Sequence, residues 1–322
     1  MRIGLIGAGA IARRHVGVLS CLDRVELAAV CDRDPARAQS IASGAAVYGN
    51  WRELLEHPLD AVFVCTPPAA HAEPAIAAMQ QGLAVYLEKP LARSAADGEA
   101  IAAAWRGSGR VCAVGYQWRS LGLLGRVHDE LAGAAPGMLI SRSVGPTEPG
   151  RAASWFEDPE ASGGILFELG SHDIDLQQAL AGPAASVQAL SGRGLGAGGG
   201  ALDDAVAVLV RYASGGLGTI SVAWTEQQDP PVYELDVLAP DVALHLTLDP
   251  MFRLAGRAHG DSVDEDEPAD PRESAVMGFL DAARRGDPAA VACTPEDASG
   301  TLRAALAAET AIASGEMVML GG

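Results

Sequence analysis

Met1 to Ala12 reads MRIGLIGAGAIA, an apolar strand run that breaks into a glycine turn and then into an alanine-rich helix signal. No other stretch limits the fold so much. A strand that passes through two glycines directly into a helix sets the helix N-terminus, with its unpaired N–H groups, over the strand's carboxyl end. Gly7 permits the tight turn, Gly9 lets the backbone approach an anion, and Ala12 keeps the helix close to the sheet.

The next hundred residues repeat that unit. Short, nearly unbroken apolar runs at 25–31, 61–65, 84–87 and 111–116 alternate with alanine-rich helix signals at 35–43, 72–81 and 95–106. Strands of this kind are buried on both faces, as in a parallel sheet. The spacing predicts a doubly wound, Rossmann-like sheet over residues 1–117. Beyond Tyr116 two helices, 121–131 and 164–180, precede runs that alternate apolar and polar at 187–190, 205–212, 218–224, 233–238 and 243–248. That texture predicts a second domain over 118–322, an α+β unit with a mostly antiparallel sheet covered on one face. The chain closes on a helix from Pro295 to Ser314, with Thr294 as its N-cap and Gly315 at its end. The fold class is α/β.

Composition narrows the partners. At 49% hydrophobic and 20% charged the chain is globular rather than disordered, and 322 residues suit two domains. A formal charge of -18 argues against nucleic acid and anionic membrane surfaces, which need a basic patch. Seven acids against Arg272 lie between Asp261 and Glu273, a stretch read as a solvated loop, as is the glycine-rich 192–200. The five cysteines form no close pair, which points to a reducing compartment. With no signal-peptide pattern and no apolar run of spanning length, the protein is expected in the cytoplasm, away from membranes.

Chemistry-bearing residues fall at the strand ends. The turn Gly7-Ala8-Gly9-Ala10-Ile11-Ala12 is a GxGxxA pattern with strand before and helix after, and Asp32 follows 20 residues beyond Ala12. That acid, at the end of the second strand, accepts bonds from adenosine ribose hydroxyls and repels a 2′-phosphate, which favours NAD over NADP. Arg33 beside it keeps NADP open, and a helix cap is the alternative role for Asp32. Thr66 and Pro67 follow the strand at 61–65, and His71 opens the next helix, either touching the cofactor or serving the fold. Glu88-Lys89-Pro90 ends the strand at 84–87, where a lysine can hold or deprotonate a hydroxyl. In the second domain Glu168, His172 and Asp175 fall on one face of an ideal α-helix, so that Glu168 can orient a basic imidazole. Glu168 and His172 also offer two metal ligands, but no third or fourth stands in a matching context, so no metal is expected. Tyr116, Gln117, Trp118, Arg119 and Trp155 are candidate substrate contacts. Arg119, Arg142 and Arg151 are candidates to meet an acid group, with ordinary surface arginine as the alternative for each.

The segments GAGAIA, AVCDRD, CTPPAAHAEPAIAAMQQGLAVYLEKPLA, VGYQWR and GGILFELGSHDIDL, in that order along nearly the whole chain, resemble the Gfo/Idh/MocA oxidoreductase family. The resemblance implies a Rossmann domain followed by an α/β domain whose open sheet makes homodimers or homotetramers. It implies that Lys89 is the catalytic lysine, preceding a cis bond to Pro90, and that His172 is the catalytic histidine. Glu168 departs from the pattern, standing where inositol dehydrogenases carry aspartate. The expected activity is NAD(P)-dependent hydride transfer between the cofactor and a hydroxyl or carbonyl carbon of a sugar, cyclitol or related polyol. Alternatives within the resemblance are a redox-neutral NAD-dependent glycosidase, a ligand-sensing co-regulator without enzyme activity, and a reductase of a non-sugar carbonyl or imine.

Overall fold

The computed structural model describes residues 1–146, 155, 158–195, 203–225, 227–249 and 251–321; Arg151 and residues 196–200 of the glycine-rich stretch lie outside them. The chain divides into two compact units. The first is Met1–Gln117 with Arg272–Ser299, and the second is Trp118–Pro271 with Gly300–Gly322.

In the first unit six strands form a parallel sheet: β1 (Arg2–Ile6), β2 (Glu26–Cys31), β3 (Ala46–Tyr48), β4 (Ala61–Val64), β5 (Ala84–Leu87) and β6 (Cys112–Val114). Their order is β3-β2-β1-β4-β5-β6, so the winding reverses between β1 and β4. Ligands of open α/β sheets bind outside the carboxyl ends at such a reversal. Residues 46–48 carried no strand signal; β3 is three half-buried residues paired only to β2. Ile3, Leu5, Val30, Phe63 and Tyr86 are buried in the core. Helix Pro271–Arg285 adds Val276, Phe279 and Leu280 to that core, and the Phe279 ring meets Phe63 at 5.6 Å and Tyr86 at 5.5 Å. Burying one such side chain is worth about 1.5–3 kcal/mol.

The second unit holds a nine-stranded sheet of β7 (Met138–Gly145), β8 (Ala184–Gly192), β9 (Ala205–Tyr212), β10 (Leu217–Trp224), β11 (Val232–Ala239), β12 (Val242–Asp249), β13 (Phe252–Ala258), β14 (Asp261–Glu267) and β15 (Val318–Met319). The order is β14-β13-β12-β11-β7-β10-β9-β8-β15, and only the β7–β10 pair is parallel among these ladders. Burial alternates strictly along β9 and β10, as expected where one face is covered. The stretch read as a solvated loop is instead β14 and the start of helix Pro271–Arg285. Charge holds β14 in place. Arg253 on β13 grips Asp264 with two bonds of 2.9 and 3.0 Å, and Glu267 caps helix Gly122–Leu131 by accepting the Gly122 and Leu123 N–H groups at 3.0 and 2.9 Å. The last helix, Pro295–Ser314, starts on a capping box: Thr294 Oγ1 accepts the Asp297 N–H, and the Asp297 carboxylate accepts the Thr294 N–H.

Candidate active site

In the first unit the glycine turn has the geometry its sequence requires. Gly7 sits at φ 96°, and a Cβ there would lie 2.6 Å from the Cys65 carbonyl oxygen, so glycine is needed for both conformation and room. Gly9 caps helix Ala10–Ser20, and a Cβ added to it meets nothing within 4 Å. Open space over a helix N-terminus is what a pyrophosphate needs, with the N–H groups of Ala10 and Ile11 in its first turn. Asp32 follows β2; its carboxylate accepts the Ala8 N–H at 2.7 Å and the Asp34 N–H at 2.9 Å. The helix-cap role falls to Asp34, which accepts the Ala36 N–H. Asp32 is therefore braced against the turn rather than used as a cap, and Arg33 next to it is exposed.

The segment after β5 is tied down on both sides. Glu88 is buried; its Oε1 meets His15 Nε2 at 2.7 Å and its Oε2 accepts the Lys89 N–H at 3.2 Å. Burial disfavours the Glu88 charge, but the bond and charge of His15, followed by Lys89, outweigh it and hold the carboxyl below its ordinary range. Lys89 is half-buried and precedes a cis bond to Pro90. His71 is fully buried and faces only carbonyl oxygens: Nδ1 lies 3.0 Å from Pro90 O and 3.3 Å from Leu91 O, and Nε2 lies 2.9 Å from Thr66 O. Of the two readings of His71, full burial favours the one that serves the fold: the ring sits between Thr66 and the Pro90-Leu91 backbone and donates its one N–H to a carbonyl there. Burial pulls its pKa down, against the opposing pull of those carbonyls. Thr66 itself donates its hydroxyl to Ala70 O at 3.1 Å, with Pro67 half-buried beside it.

In the second unit the helix expected over 164–180 is not uniform. Leu166–Gly170 is a π-turn, and regular α-helix resumes at Ser171–Ala181. A π-turn holds one more residue than an α-turn, so the register from Glu168 to His172 and Asp175 departs from ideal α-spacing. Two local causes are present. Ser171 Oγ donates to Phe167 O at 2.6 Å, and a Cβ on Gly163 would lie 2.4 Å from the Phe167 ring, so this entry requires glycine. His172 is 8% exposed, with the Trp118 ring 4.9 Å away at a 43° tilt and the Tyr233 ring 6.0 Å from Trp118 at a 54° tilt.

Asp175 does not join the face of His172 as a polar neighbour. Its carboxylate takes Arg119 Nε at 2.7 Å and Nη2 at 2.9 Å, and accepts the Thr301 hydroxyl at 2.9 Å. Arg119 thereby acts as a half-buried clamp on the histidine helix. Arg142 is likewise engaged, 3.5 Å from Glu234. Asp173 is fully buried against β7, where Ser143 donates to it at 3.1 Å, and burial raises its carboxyl from 3.8 to about 7. Gln177 donates to Ser141 Oγ and Thr219 O and accepts from Tyr212, fixing the helix to the sheet below. Gln117 is half-buried and Trp155 is 41% exposed. Among the described residues no group of three or more His, Cys, Asp or Glu is placed to hold a metal ion.

Three residues escaped the sequence reading: His15, Asp173 and Thr301. His15 had a signal, since Ala12, His15 and Leu19 form the buried stripe of the first helix and a histidine there needs a partner. Another signal was in the composition. Of the 23 basic residues 22 are arginine, and Lys89 is the single lysine in the chain.

Comparison with known proteins agrees with this architecture. A family model described as "Oxidoreductase family, NAD-binding Rossmann fold" matches residues 1–116, and one described as "GFO/IDH/MocA C-terminal domain" matches residues 138–237. The chain is 29% identical to 1,5-anhydro-D-fructose reductase of Ensifer adhaerens over 98% of its own length and 97% of that protein. It is 30% identical to 4-carboxy-2-hydroxymuconate-6-semialdehyde dehydrogenase of a Sphingobium species, over 60% of this chain and 62% of that one, less than two thirds of the relative's length. The solved structure of GenD2 from gentamicin A biosynthesis, in complex with NAD, superposes with a TM-score of 0.82 at 25% identity, covering 100% of this chain and 97% of that chain. With the glycine turn, the Lys89 segment and the His172 helix all inside the matched regions, the chain belongs to the GFO/IDH/MocA oxidoreductase family.

Proposed function

We propose that the protein transfers a hydride between a nicotinamide cofactor and a CH–OH or carbonyl carbon of a sugar, cyclitol or related polyol. The observation that carries this reading is Lys89: a lone lysine, fixed through Glu88 at the carboxyl edge of the sheet whose first turn has room for a pyrophosphate. When bound, the nicotinamide supplies the hydride acceptor or donor. Lys89 polarises the substrate oxygen through its ammonium group. His172 takes the hydroxyl proton during oxidation and returns it during reduction, and Glu168 steadies the imidazolium. Trp118 limits the orientations open to His172, while Gln117 and Trp155 offer an amide and an aromatic face to a polyol.

Asp32 favours NAD, because a carboxylate accepts ribose hydroxyls and repels a 2′-phosphate; exposed Arg33 narrows the gap to NADP. Five free thiols support a reducing, cytoplasmic setting, and no helix among the described residues is long and apolar enough to cross a membrane. The uncovered face of the second unit's sheet supports a homodimer or homotetramer, since Leu190 and Leu209 are 65% and 57% exposed on it.

The test is a panel of polyols and sugars, free and acidic, with NAD and NADP as acceptors and NADH formation as readout. Oxidation is expected with NAD, falling at acid pH as one imidazole protonates. His172→Asn is expected to abolish turnover and that acid limb together. An acid limb that survives His172→Asn with turnover intact places the base elsewhere.

A further inference from the structure

We propose that His15 is a positioning residue for Lys89: acting through Glu88, it couples the dinucleotide-binding helix to the reacting ammonium group. The inference rests on the oxidoreductase reading of Lys89. His15 stands on the helix that Gly9 opens, less than two turns from the space over the helix start. Its ring is 4% exposed and lies 5.2 Å from the Phe63 ring and 5.2 Å from the Tyr86 ring, so aromatic surface takes the place of water around it. Its Nε2 reaches Glu88 Oε1 at 2.7 Å, and since Glu88 is held ionised that nitrogen is the donor. The second oxygen of the same carboxylate receives the Lys89 N–H. One chain of contacts therefore runs from the glycine turn through the helix, His15 and Glu88 to the backbone of Lys89.

A charge-assisted bond in a low-dielectric setting is strong, and removing one partner leaves the other charge buried and uncompensated. His71 lies against the Pro90 and Leu91 carbonyls on the far side of the segment and the Glu88 N–H bonds Val64 O, so loss of His15 frees the Glu88 carboxylate, and with it the partner of the Lys89 N–H. Room for Glu88 to relax is small: a Cβ on Gly115 would already lie 3.2 Å from Glu88 Oε2.

The single lysine makes the test direct. Protein labelled with [15N]lysine carries one labelled backbone amide, that of Lys89, whose proton shift reports its bond to Glu88. His15→Phe fills the space without a donor, and His15→Gln restores a donor. In His15→Phe the Lys89 amide is expected to move upfield and broaden, and turnover to fall about tenfold or more with polyol KM within about threefold, as for a misplaced reacting group. His15→Gln is expected to recover most of both. ADP, which fills the turn but has no nicotinamide ring, is expected to shift the Lys89 amide in the wild type and not in His15→Phe. An unmoved amide in His15→Phe, or an equal ADP response in both proteins, overturns the proposal. If His15→Phe does not fold, Glu88→Gln keeps the shape and removes the charge. An unchanged Lys89 amide in that variant overturns it equally. The amide readout needs no substrate, so a wild type inert toward every polyol would sink the oxidoreductase reading while leaving the positioning measurement intact.

Discussion

Lysine and arginine differ in one respect that matters at position 89: an ammonium is a compact point charge on a flexible stem, and a guanidinium is a broad planar fork. Lys89→Met is expected to lower turnover by about two orders of magnitude or more, with NADH binding by fluorescence titration largely kept. Lys89→Arg separates charge from shape; near-normal turnover in that variant would mean that positive charge alone suffices at this position. Lys89 stood out in the sequence as a candidate because of its apolar strand and following proline. His15 did not, because a histidine in a helix stripe looks like core and its partner lies 73 residues away. Asp173 was also hidden, and it carries a pH signature. Its carboxyl, raised to about 7 by burial, keeps its proton in the native state while an unfolded one has lost it. The native state thus binds the extra proton between roughly pH 4 and pH 7, so its stability falls as pH rises through that window and levels off above it. Asp173→Asn keeps the neutral shape and is expected to flatten this decline, raising the guanidinium midpoint at pH 8 more than at pH 5. Equal gains at both pH values would remove Asp173 as the source.

At the scale of elements, periodicity gave five of the six parallel strands and four of their helices to within about two residues, because each of those buried strands is an unbroken apolar run. It failed where the period itself changes. The π-turn at Leu166–Gly170 has no pattern of its own, and its determinants are a hydroxyl on the preceding turn's carbonyl and a glycine pair at the entrance. Gly163 sits at φ 74°, so Gly163→Ala brings backbone strain and a collision with the Phe167 ring. A loss of about 2–4 kcal/mol in denaturant stability is expected, with turnover falling further than Tm alone explains. Wild-type stability in that variant would mean that the turn tolerates a side chain. β14 was missed for another reason. Its acids pair with Arg253 and cap a helix, so a charged strand held by cross-strand ions reads locally as a solvated loop.

At the scale of the molecule, the uncovered sheet face is the surface that association would use. It carries Leu190, Leu209 and Leu217 beside the polar set of Arg142, Glu234, Asp236 and His245. Leu209→Asp places a charge on the apolar part of that face and is expected to lower the mass measured by light scattering, with circular dichroism unchanged. An unchanged mass would move the contact to another surface.

The return of residues 272–299 to the first unit has a consequence for how such a protein can change by recombination. The Phe279 ring meets the Phe63 and Tyr86 rings edge-on, and the Cys293 carbonyl accepts the Val114 N–H of β6. A crossover in the gene at codon 117 therefore delivers a nucleotide-binding half without part of its core and without the partner of its edge strand. Exchange of cofactor specificity between relatives must carry two separated gene segments together, or else proceed by point changes such as those at Asp32 and Arg33.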